Sequence, residues 1–568
     1  MARWKYHPNI PPEIPVPDKS IFEIFQDTVE NHGEKPFLYF QGAQMSYNEA
    51  YEKVIRFANS LKELNCKKGD RIAILMPNCP QFVISYISSL SLGCIVTCIS
   101  PLYAPQEIKY QLDDSGAKVL ITLDNFLDNV FQIIDETPVE NLIVSSIADE
   151  LNPLKGLFYR LFIGRKYPSK RPKDLSYKSL IKNGQKIVPK ADIDPREDLA
   201  CLQYTGGTTG VPKGVMLTHR NLVSQMVVLD YWEEWIGGPI PGVQGRSIGA
   251  LPFDHIFGLS TSFLWPLYAG QQIFLIPDPR KLEELMQTIS KYDVHFFNAV
   301  PTLFQKLAES PKIENYDLSS LRLCISGGSA LHPNTQELFE EKTGALLIEG
   351  YGLSEASPVT HVNPADKNIR QRDIGIPIPN TNAKIVSIHT NEDITSFEDN
   401  GKTKKGELCV KGEQVMKGYW NKPEATAKVL TEDGWLKTGD VAQMDEGGFF
   451  NIVDRLKDVI FTSGFQVWPL EVEKALCKHP DILMAAVIPV EDKEGNERVK
   501  AILVPAKGAE KHSLEEIRAF CKKYLAPYKV PRYIEYREEL PLSPVGKILR
   551  RPLREEACLE VQKEKIRK

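Results

Sequence analysis

The sequence predicts an α/β protein: a large N-terminal domain of two parallel-type α/β sheets plus a β-rich subdomain, followed by a small α+β C-terminal domain. Amphipathic helical patterns alternate with short apolar strands over the first two thirds of the chain, which is typical of parallel sheets covered by helices. A strand-rich region with turn signals follows at about 383–452. The remaining residues return to mixed helices and strands.

Two successive cycles of elements build the large domain. In the first, apolar residues recur at helical spacing or form the continuous runs of buried strands. The predicted helices of this cycle are 47–64 and 81–92, and its strands are 71–76, 94–99 and 118–122. The second cycle has predicted strands at 199–204, 272–276, 295–298, 321–326 and 346–350.

The small domain has a pattern of its own. A charged stretch between two apolar strands, Asp454 to Asp458, marks the predicted junction with the large domain. The elements predicted after it are helices at 470–478 and 514–525 and strands at 483–490, 500–504 and 533–537.

Composition excludes several classes of protein. The 568 residues correspond to about three to five structural units. A hydrophobic share of 42% and a charged share of 25% are ordinary for globular proteins, and a net charge of −5 gives no reason to expect a nucleic-acid partner. Ten cysteines without a C-x-x-C spacing argue against zinc and predict a reducing, cytoplasmic location.

Two uncharged stretches, 72–106 and 256–277, could be mistaken for membrane spans. Proline, glycine and polar residues interrupt both, so we expect buried helix–strand pairs instead. The N-terminus is polar and Pro-rich and lacks the apolar core of a signal peptide.

The strongest chemical signal is the segment 204–214, Tyr-Thr-Gly-Gly-Thr-Thr-Gly-Val-Pro-Lys-Gly, which follows a predicted strand. Glycines let the backbone approach a ligand, while threonine hydroxyls, successive N–H groups and Lys213 favour an anion. The G-x-x-x-x-G-K-[S/T] spacing of a Walker A motif is absent. The segment therefore predicts a phosphate-binding loop of another kind.

This loop resembles the phosphate loop of the adenylate-forming superfamily, which includes acyl-CoA synthetases, adenylation domains and luciferases. The resemblance covers about residues 20–557 and is closest to bacterial-type long-chain fatty-acid–CoA ligases. Further matching motifs follow in family order: Leu251-Pro-Phe-Asp-His255-Ile-Phe-Gly258, Ser326-Gly-Gly-Ser329, Tyr351-Gly-Leu-Ser-Glu355, Gly434-Trp-Leu-Lys-Thr-Gly-Asp440, Asp454-Arg-Leu-Lys-Asp458 and Pro544-Val-Gly-Lys547.

The resemblance implies that ATP activates a fatty acid as an acyl-adenylate and that CoA then accepts the acyl group. It implies Mg²⁺ bound by Thr205 and Glu355, with Lys213, Glu355 and Lys547 as catalytic residues. The implied ATP- and AMP-binding residues are Thr205, Gly206, Gly207, Thr208, Thr209, Gly210, Lys213, Ser329, Gly350, Tyr351, Gly352, Ser354, Asp440, Arg455 and Lys547.

The resemblance also implies that the small domain is mobile and rotates about Lys457. The expected division is 1–454 for the large domain, 455–458 for the hinge and 459–568 for the small domain. The implied acyl pocket is His255, Asn298, Val300 and Gly328, and the implied CoA contacts are Ser463, Gly464 and Phe465. A competing interpretation of His255 is a packed core residue.

Three rival functions stay open at this point. One is a medium-chain or aryl-acid CoA ligase, another is a luciferase-like oxygenase, and the third is a catalytically inactive AMP sensor. Lys213, Glu355, Asp440, Arg455 and Lys547 are all retained, which argues against the sensor. The sequence leaves acyl chain length and homodimer formation open.

The segment 154–173 carries seven Lys or Arg and no acid. Leu157, Phe158, Leu161 and Phe162 have the spacing of one helical face. An apolar face beside cations predicts peripheral contact with an anionic membrane, at the inner face of the cell membrane. The alternative is that this face packs on the large domain.

Overall fold

The structure, a computed structural model, describes residues 11–166, 168, 170–205, 212–233, 238–366, 373–462, 465–492, 497–506, 508–542 and 548–557. The chain divides into two compact units. The first comprises Met1–Gly206, Pro212–Asn382 and Lys411–Leu430, and the second comprises Gly207–Val211, Ala383–Val410 and Thr431–Lys568.

One sheet of the first unit has eight described strands. Its centre is parallel, and an antiparallel hairpin with one short additional strand forms one edge. In spatial order the strands are Gly418–Tyr419, Lys213–Thr218, Leu199–Thr205, Ile95–Ile99, Arg71–Leu75, Val119–Leu123, Asn141–Ser145 and Leu175–Ser176.

A second sheet of the same unit has nine described strands, with a parallel centre and antiparallel pairs at both edges. In spatial order these are Ile376–Pro377, Val359–Val362, Leu346–Gly352, Leu323–Ser326, Phe296–Ala299, Arg246–Gly249, Gln272–Leu275, Pro36–Phe40 and Ala43–Ser46. The parallel order confirms the predicted fold class, because parallel neighbours need the helical crossovers that the sequence pattern indicated.

Helices connect the strands of the first unit. Ser20 and Ser46 begin two of them with capping boxes, in which each serine and the glutamate three residues later exchange hydrogen bonds. The described α-helices are Ile21–His32, Tyr47–Glu63, Pro80–Ser91, Pro105–Ser115, Leu127–Phe131, Pro153–Phe158, Tyr177–Asn183, His219–Glu233, Ile256–Gly258, Trp265–Tyr268, Leu282–Tyr292, Pro301–Ala308, Pro333–Thr343 and Pro423–Val429.

The two uncharged stretches form buried structure. Every residue of the helix Pro80–Ser91 is buried. In the sequence this helix follows the strand Arg71–Leu75 and precedes the strand Ile95–Ile99. The second stretch forms the helices Ile256–Gly258 and Trp265–Tyr268, joined by a π-helical segment, and continues into a strand. No helix among the described residues is long and apolar enough to cross a membrane.

The second unit contains three described sheets. Its four-stranded sheet is Thr381–Val386, Gly406–Gly412, Leu436–Met444 and Phe450–Arg455; a hairpin is Ile460–Thr462 with Phe465–Val467; and a three-stranded sheet is Ile482–Glu491, Glu497–Pro505 and Tyr533–Tyr536. Helices Pro469–Leu476 and Leu514–Cys521 supply buried side chains to the core beside the last sheet, and a further helix covers 550–557.

The basic segment begins as the helix Pro153–Phe158 and continues as a π-helical turn, Tyr159–Ile163. Its apolar side chains do not pack on the large domain, which is where the alternative interpretation placed them. They are solvent-exposed, at 84% for Leu154, 57% for Leu157, 57% for Phe158, 42% for Leu161, 61% for Phe162 and 36% for Ile163.

Candidate functional site

The predicted phosphate loop joins two paired strands of the first unit. Leu199–Thr205 and Lys213–Thr218 are antiparallel, and their register places Thr205 opposite Lys213 and Tyr204 opposite Gly214. A Cβ on Gly214 would meet Tyr204 and Trp420 at 3.3 and 3.4 Å, so a larger residue would crowd this turn of the hairpin. The predicted site residues of the loop itself, Gly206, Gly207, Thr208, Thr209 and Gly210, lie outside the described residues.

Glu355 lies just beyond the strand Leu346–Gly352, in a single 3₁₀ turn. Gly352 is required there, because a Cβ would lie 2.1 Å from the carbonyl oxygen of Pro358. The Tyr419 hydroxyl donates a 2.6 Å hydrogen bond to Oε1 of Glu355, and the Met416 N–H donates to its carbonyl oxygen at 2.8 Å. Both the side chain and the backbone of Glu355 are therefore held.

Lys213 meets the same tyrosine. Its Nζ lies 4.6 Å from the centroid of the Tyr419 ring, within the range of a cation–π contact. Burial, together with the neighbouring Glu355 carboxylate, raises the pKa of Tyr419, so its hydroxyl stays a donor. Sequence reasoning missed Tyr419, although the aromatic pair after Gly418 was the available signal.

The donors suit a hard cation. Glu355 offers a carboxylate and Thr205 a hydroxyl, both half-buried, and oxygen ligands of this kind are those that Mg²⁺ prefers. Oε2 of Glu355 accepts no hydrogen bond from any residue that the structure describes. The chemistry of the residues present therefore fits magnesium.

Several predicted nucleotide and acyl residues lie at the carboxyl ends of adjacent parallel strands in the second sheet. The three strands are Phe296–Ala299, Leu323–Ser326 and Leu346–Gly352. Such an edge is the usual ligand site of an open α/β sheet. The predicted residues that the strands carry on or just beyond these ends are Asn298, Val300, Gly328, Ser329, Gly350, Tyr351, Gly352 and Ser354.

Two proposed acyl-pocket residues have structural partners as well. The ring Nδ1 of His255 accepts a 3.2 Å hydrogen bond from the Phe257 N–H and so begins the short helix Ile256–Gly258. Asn298 is buried and donates to the Thr261 carbonyl at 2.9 Å. Beside His255, burial raises the pKa of Asp254 to about 6.

The remaining predicted nucleotide residues lie in the second unit. Asp440 and Arg455 are opposite each other on antiparallel strands, and Arg455 Nε lies 3.0 Å from Asp440 Oδ1. Asp440 is buried, and Arg455 places a positive charge beside its carboxylate.

The predicted hinge residue Lys457 lies in the 3₁₀ turn Leu456–Asp458. Its neighbour Asp458 is buried and accepts from Arg550 at 3.0 Å and from Arg554 at 2.9 Å. Lys547, Ser463 and Gly464 lie outside the described residues, and Phe465 begins the strand Phe465–Val467.

Known protein families match most of the chain. The model of the AMP-binding enzyme family matches residues 25–420, and that of the AMP-binding enzyme C-terminal domain matches 471–547. The long-chain-fatty-acid–CoA ligase of Bacillus subtilis (strain 168) is 41% identical over 558 residues, 97% of each chain. That of Escherichia coli O6:H1 is 39% identical over 563 residues, also 97% of each.

Solved structures agree in fold. The anthranilate CoA ligase AuaEII in complex with anthranoyl-AMP superimposes with a TM-score of 0.82 at 26% identity, covering 97% of this chain and 99% of its own.

Proposed function

The chain belongs to the AMP-binding enzyme family, and from this we propose that it is an ATP-dependent fatty-acid–CoA ligase. The resemblance to the adenylate-forming superfamily is thereby confirmed. In the proposed reaction a fatty acid and ATP give acyl-AMP and pyrophosphate, and CoA then takes the acyl group and releases AMP. The observation that carries the proposal is the near-full-length similarity to long-chain-fatty-acid–CoA ligases.

In the first half-reaction the chain's residues bind and orient ATP. Lys213 and the loop from Thr205 hold the phosphates, Tyr351 stacks on adenine, and Asp440 accepts hydrogen bonds from the ribose hydroxyls. Glu355 and Thr205 would hold Mg²⁺, which would supply positive charge to neutralise the phosphates. Lys547 brings the substrate carboxylate to the α-phosphate, because a flexible side chain with a point charge can contact both anions.

The second half-reaction needs a different arrangement of the same chain. We assign the hinge to 455–458 between a domain of 1–454 and a domain of 459–568, with rotation at Lys457. Ser463, Gly464 and Phe465 then contact CoA. The buried Asp458, which Arg550 and Arg554 hold, supports a pivot at the residue before it.

A panel of carboxylic acids tests this function. CoA-dependent AMP release should be fastest with long-chain fatty acids and slower with medium-chain and aryl acids. His255, Asn298, Val300 and Gly328 are the proposed acyl contacts. A preference for aryl acids would replace the proposal with the aryl-acid ligase, and acid-dependent light emission or oxygen consumption would replace it with the oxygenase.

A second proposal concerns the exposed apolar face of Leu154–Ile163, which we call the apolar patch. Six large apolar side chains exposed along one short helical segment form the kind of surface that meets a membrane or a protein. Phe158 and Phe162 also lie against each other, with ring centroids 4.7 Å apart. The patch is thus a ready-made apolar face rather than scattered residues.

The charges around the patch favour an anionic lipid surface. Three of the seven cations in 154–173 pair with acids outside the segment. Arg160 pairs with Asp149 at 3.0 Å, and Arg171 and Lys173 pair with Asp135 at 3.0 and 2.9 Å. The segment itself carries no acid. Each well-placed cation adds roughly 1 kcal/mol of attraction to an anionic membrane. We propose reversible, peripheral contact of a cytoplasmic enzyme with the inner face of the cell membrane.

A further inference from the structure

Tyr419 contacts both of the oppositely charged side chains that the proposed function assigns to Mg²⁺·ATP. Its hydroxyl donates to Oε1 of Glu355 at 2.6 Å, and its ring lies 4.6 Å from Nζ of Lys213. A role for Tyr419 at this site rests on the proposed function, because that function gives Glu355 and Lys213 their ligands.

The tyrosine is rigidly placed. Its short strand, Gly418–Tyr419, pairs with Val215 and Met216 on the strand that begins at Lys213. The Tyr419 N–H donates to the Thr426 hydroxyl at 2.9 Å. The next residue, Trp420, donates its N–H to the Gly214 carbonyl at 2.8 Å. The backbone of Tyr419 is therefore held beside the strand that carries Lys213.

The turn that carries Glu355 is fixed to the same stretch of chain. The Met416 N–H donates to the Glu355 carbonyl at 2.8 Å, and the Ser357 hydroxyl donates to the Gln414 carbonyl at 2.8 Å. Residues 414–419 thus hold this turn at its backbone as well as at the carboxylate.

We propose that Tyr419 is a positioning residue for the metal–nucleotide site. Its hydroxyl fixes one oxygen of Glu355 and leaves Oε2 directed to the cation. Its ring contacts the ammonium group of Lys213, so that this lysine does not pair with the Glu355 carboxylate in place of ATP. The tyrosine thereby keeps the anion available for the metal and the cation available for the phosphate.

Two substitutions separate the two contacts. Tyr419→Phe removes the hydroxyl and keeps the ring, whereas Tyr419→Leu removes both. Removing a residue that orients a metal ligand typically lowers metal affinity by roughly 10- to 100-fold. We therefore expect Tyr419→Phe to weaken binding of Mn²⁺ with ATP about tenfold. We expect Tyr419→Leu to weaken it further and to lower the affinity for ATP without metal.

The measurement is the bound Mn²⁺ signal in electron paramagnetic resonance, in the presence of ATP and without fatty acid. Glu355→Gln removes the charge of the proposed ligand itself, and its loss of Mn²⁺ binding is the reference for the Tyr419 variants. The matched control is Tyr47→Phe, which removes a buried hydroxyl that donates to the Gln271 carbonyl at 2.7 Å. Saturating Mg²⁺ should restore the adenylation rate of Tyr419→Phe to within about threefold of the unsubstituted enzyme, because the ring and Lys213 are unchanged.

Mn²⁺ binding by Tyr419→Phe within twofold of the unsubstituted protein would overturn the proposal. An equal loss in Tyr47→Phe would also overturn it, since the effect would then be one of general stability. The unsubstituted chain could form no acyl-AMP from any acid and still bind Mn²⁺ and ATP in a way that depends on Tyr419. The proposed function would then fail, and the positioning role would stand.

Discussion

Asp440 and Arg455 face each other across the antiparallel pair formed by Leu436–Met444 and Phe450–Arg455, with Nε of the arginine 3.0 Å from Oδ1 of the aspartate. Asp440 is buried and Arg455 is half-buried. The arginine therefore fixes the carboxylate that we assign to the ribose.

We expect strong coupling between these two residues in ATP binding. Asp440→Asn and Arg455→Met should each raise the KM for ATP, and the double variant should raise it by less than the product of the two effects. The coupling energy should be about 0.5–3 kcal/mol, the range for residues in contact. The partly exposed pair Lys384 and Asp393, 2.8 Å apart in the same unit, is the control and should give small effects with weak coupling. Additive effects at Asp440 and Arg455 would contradict the prediction.

Lys457→Pro should separate the two half-reactions. Asp458 accepts hydrogen bonds from Arg550 and Arg554, so we expect a rotation at the proposed junction to occur at the residue before it. Proline restricts φ to near −65° and should obstruct that rotation. Pyrophosphate exchange should largely survive while thioester formation falls. Lys457→Gly, which leaves the backbone free to turn, should keep both steps, and wild-type thioester formation by Lys457→Pro would exclude Lys457 as the pivot.

Lys547→Ala should show the reverse pattern. The lysine is assigned to the first half-reaction, where charge develops between two anions, so formation of acyl-AMP should fall by roughly 100-fold or more. Transfer from pre-made acyl-AMP to CoA should be spared. The exposed Lys474 of the same unit is a matched control, and Lys474→Ala should leave both steps unchanged. Equal loss in both steps for Lys547→Ala would remove the assignment.

Vesicle co-sedimentation tests the apolar patch. The protein should pellet with anionic vesicles at low salt and release at high salt, because salt screens the attraction. A variant with Phe158→Ser, Phe162→Ser, Arg165→Glu and Lys166→Glu should stay in the supernatant and retain activity on a short, soluble acid. The matched variant Lys186→Glu, Ile187→Ser, Val188→Ser and Lys190→Glu alters another exposed stretch of the first unit and should still pellet. A chain that ignores the vesicles at low salt, or forms dimers through the patch, would refute membrane contact.

Stability should fall in mild acid because buried histidines stay neutral in the folded chain. Burial lowers the pKa of His219 to about 4, and its Nδ1 accepts a 3.2 Å hydrogen bond from the Ile21 N–H. Between about pH 6.5 and 4 the unfolded chain binds a proton here that the folded chain does not, so the free energy of unfolding falls as pH falls, by about 1.4 kcal/mol per pH unit. Burial likewise lowers the pKa of His295 to about 4 and that of His361 to about 3.

The check is urea unfolding at several pH values. His219→Asn can still accept from Ile21 and should reduce the pH slope by up to about 1.4 kcal/mol per pH unit, because it removes one group that gains its proton only in the unfolded chain. The exposed His389 provides the control His389→Asn, which should keep the full slope. A full slope in His219→Asn would contradict the prediction.

The strands and helices that the sequence predicted are largely those of the structure, since each carries a local signal. The strand predicted at 71–76 is Arg71–Leu75, and the helix predicted at 47–64 is Tyr47–Glu63. Continuous apolar runs and helical periodicity are properties of neighbouring residues, so one sequence reveals them. The phosphate loop is local in the same sense, because Thr205 and Lys213 belong to one hairpin.

Contacts between distant segments could not be predicted in this way. Tyr419 meets Glu355 across 64 positions of sequence, and its strand has only two residues, which is too short for any periodic signal. The packing of the segment 154–173 was equally undecided, since an apolar helical face reads the same whether it is covered or exposed. Its exposure follows from tertiary packing alone.

The pairing of Thr205 with Lys213 also limits how this stretch of chain can change length. Lys213, Val215 and Leu217 alternate along one strand, so they share a face, and the last two are fully buried. Inserting a single residue between Lys213 and Val215 would turn the lysine to the opposite side of the hairpin, whereas two residues would restore the side but move the ammonium by about 6.6 Å. An odd change in length within this strand would therefore move Lys213 off the face that it shares with Val215 and Leu217.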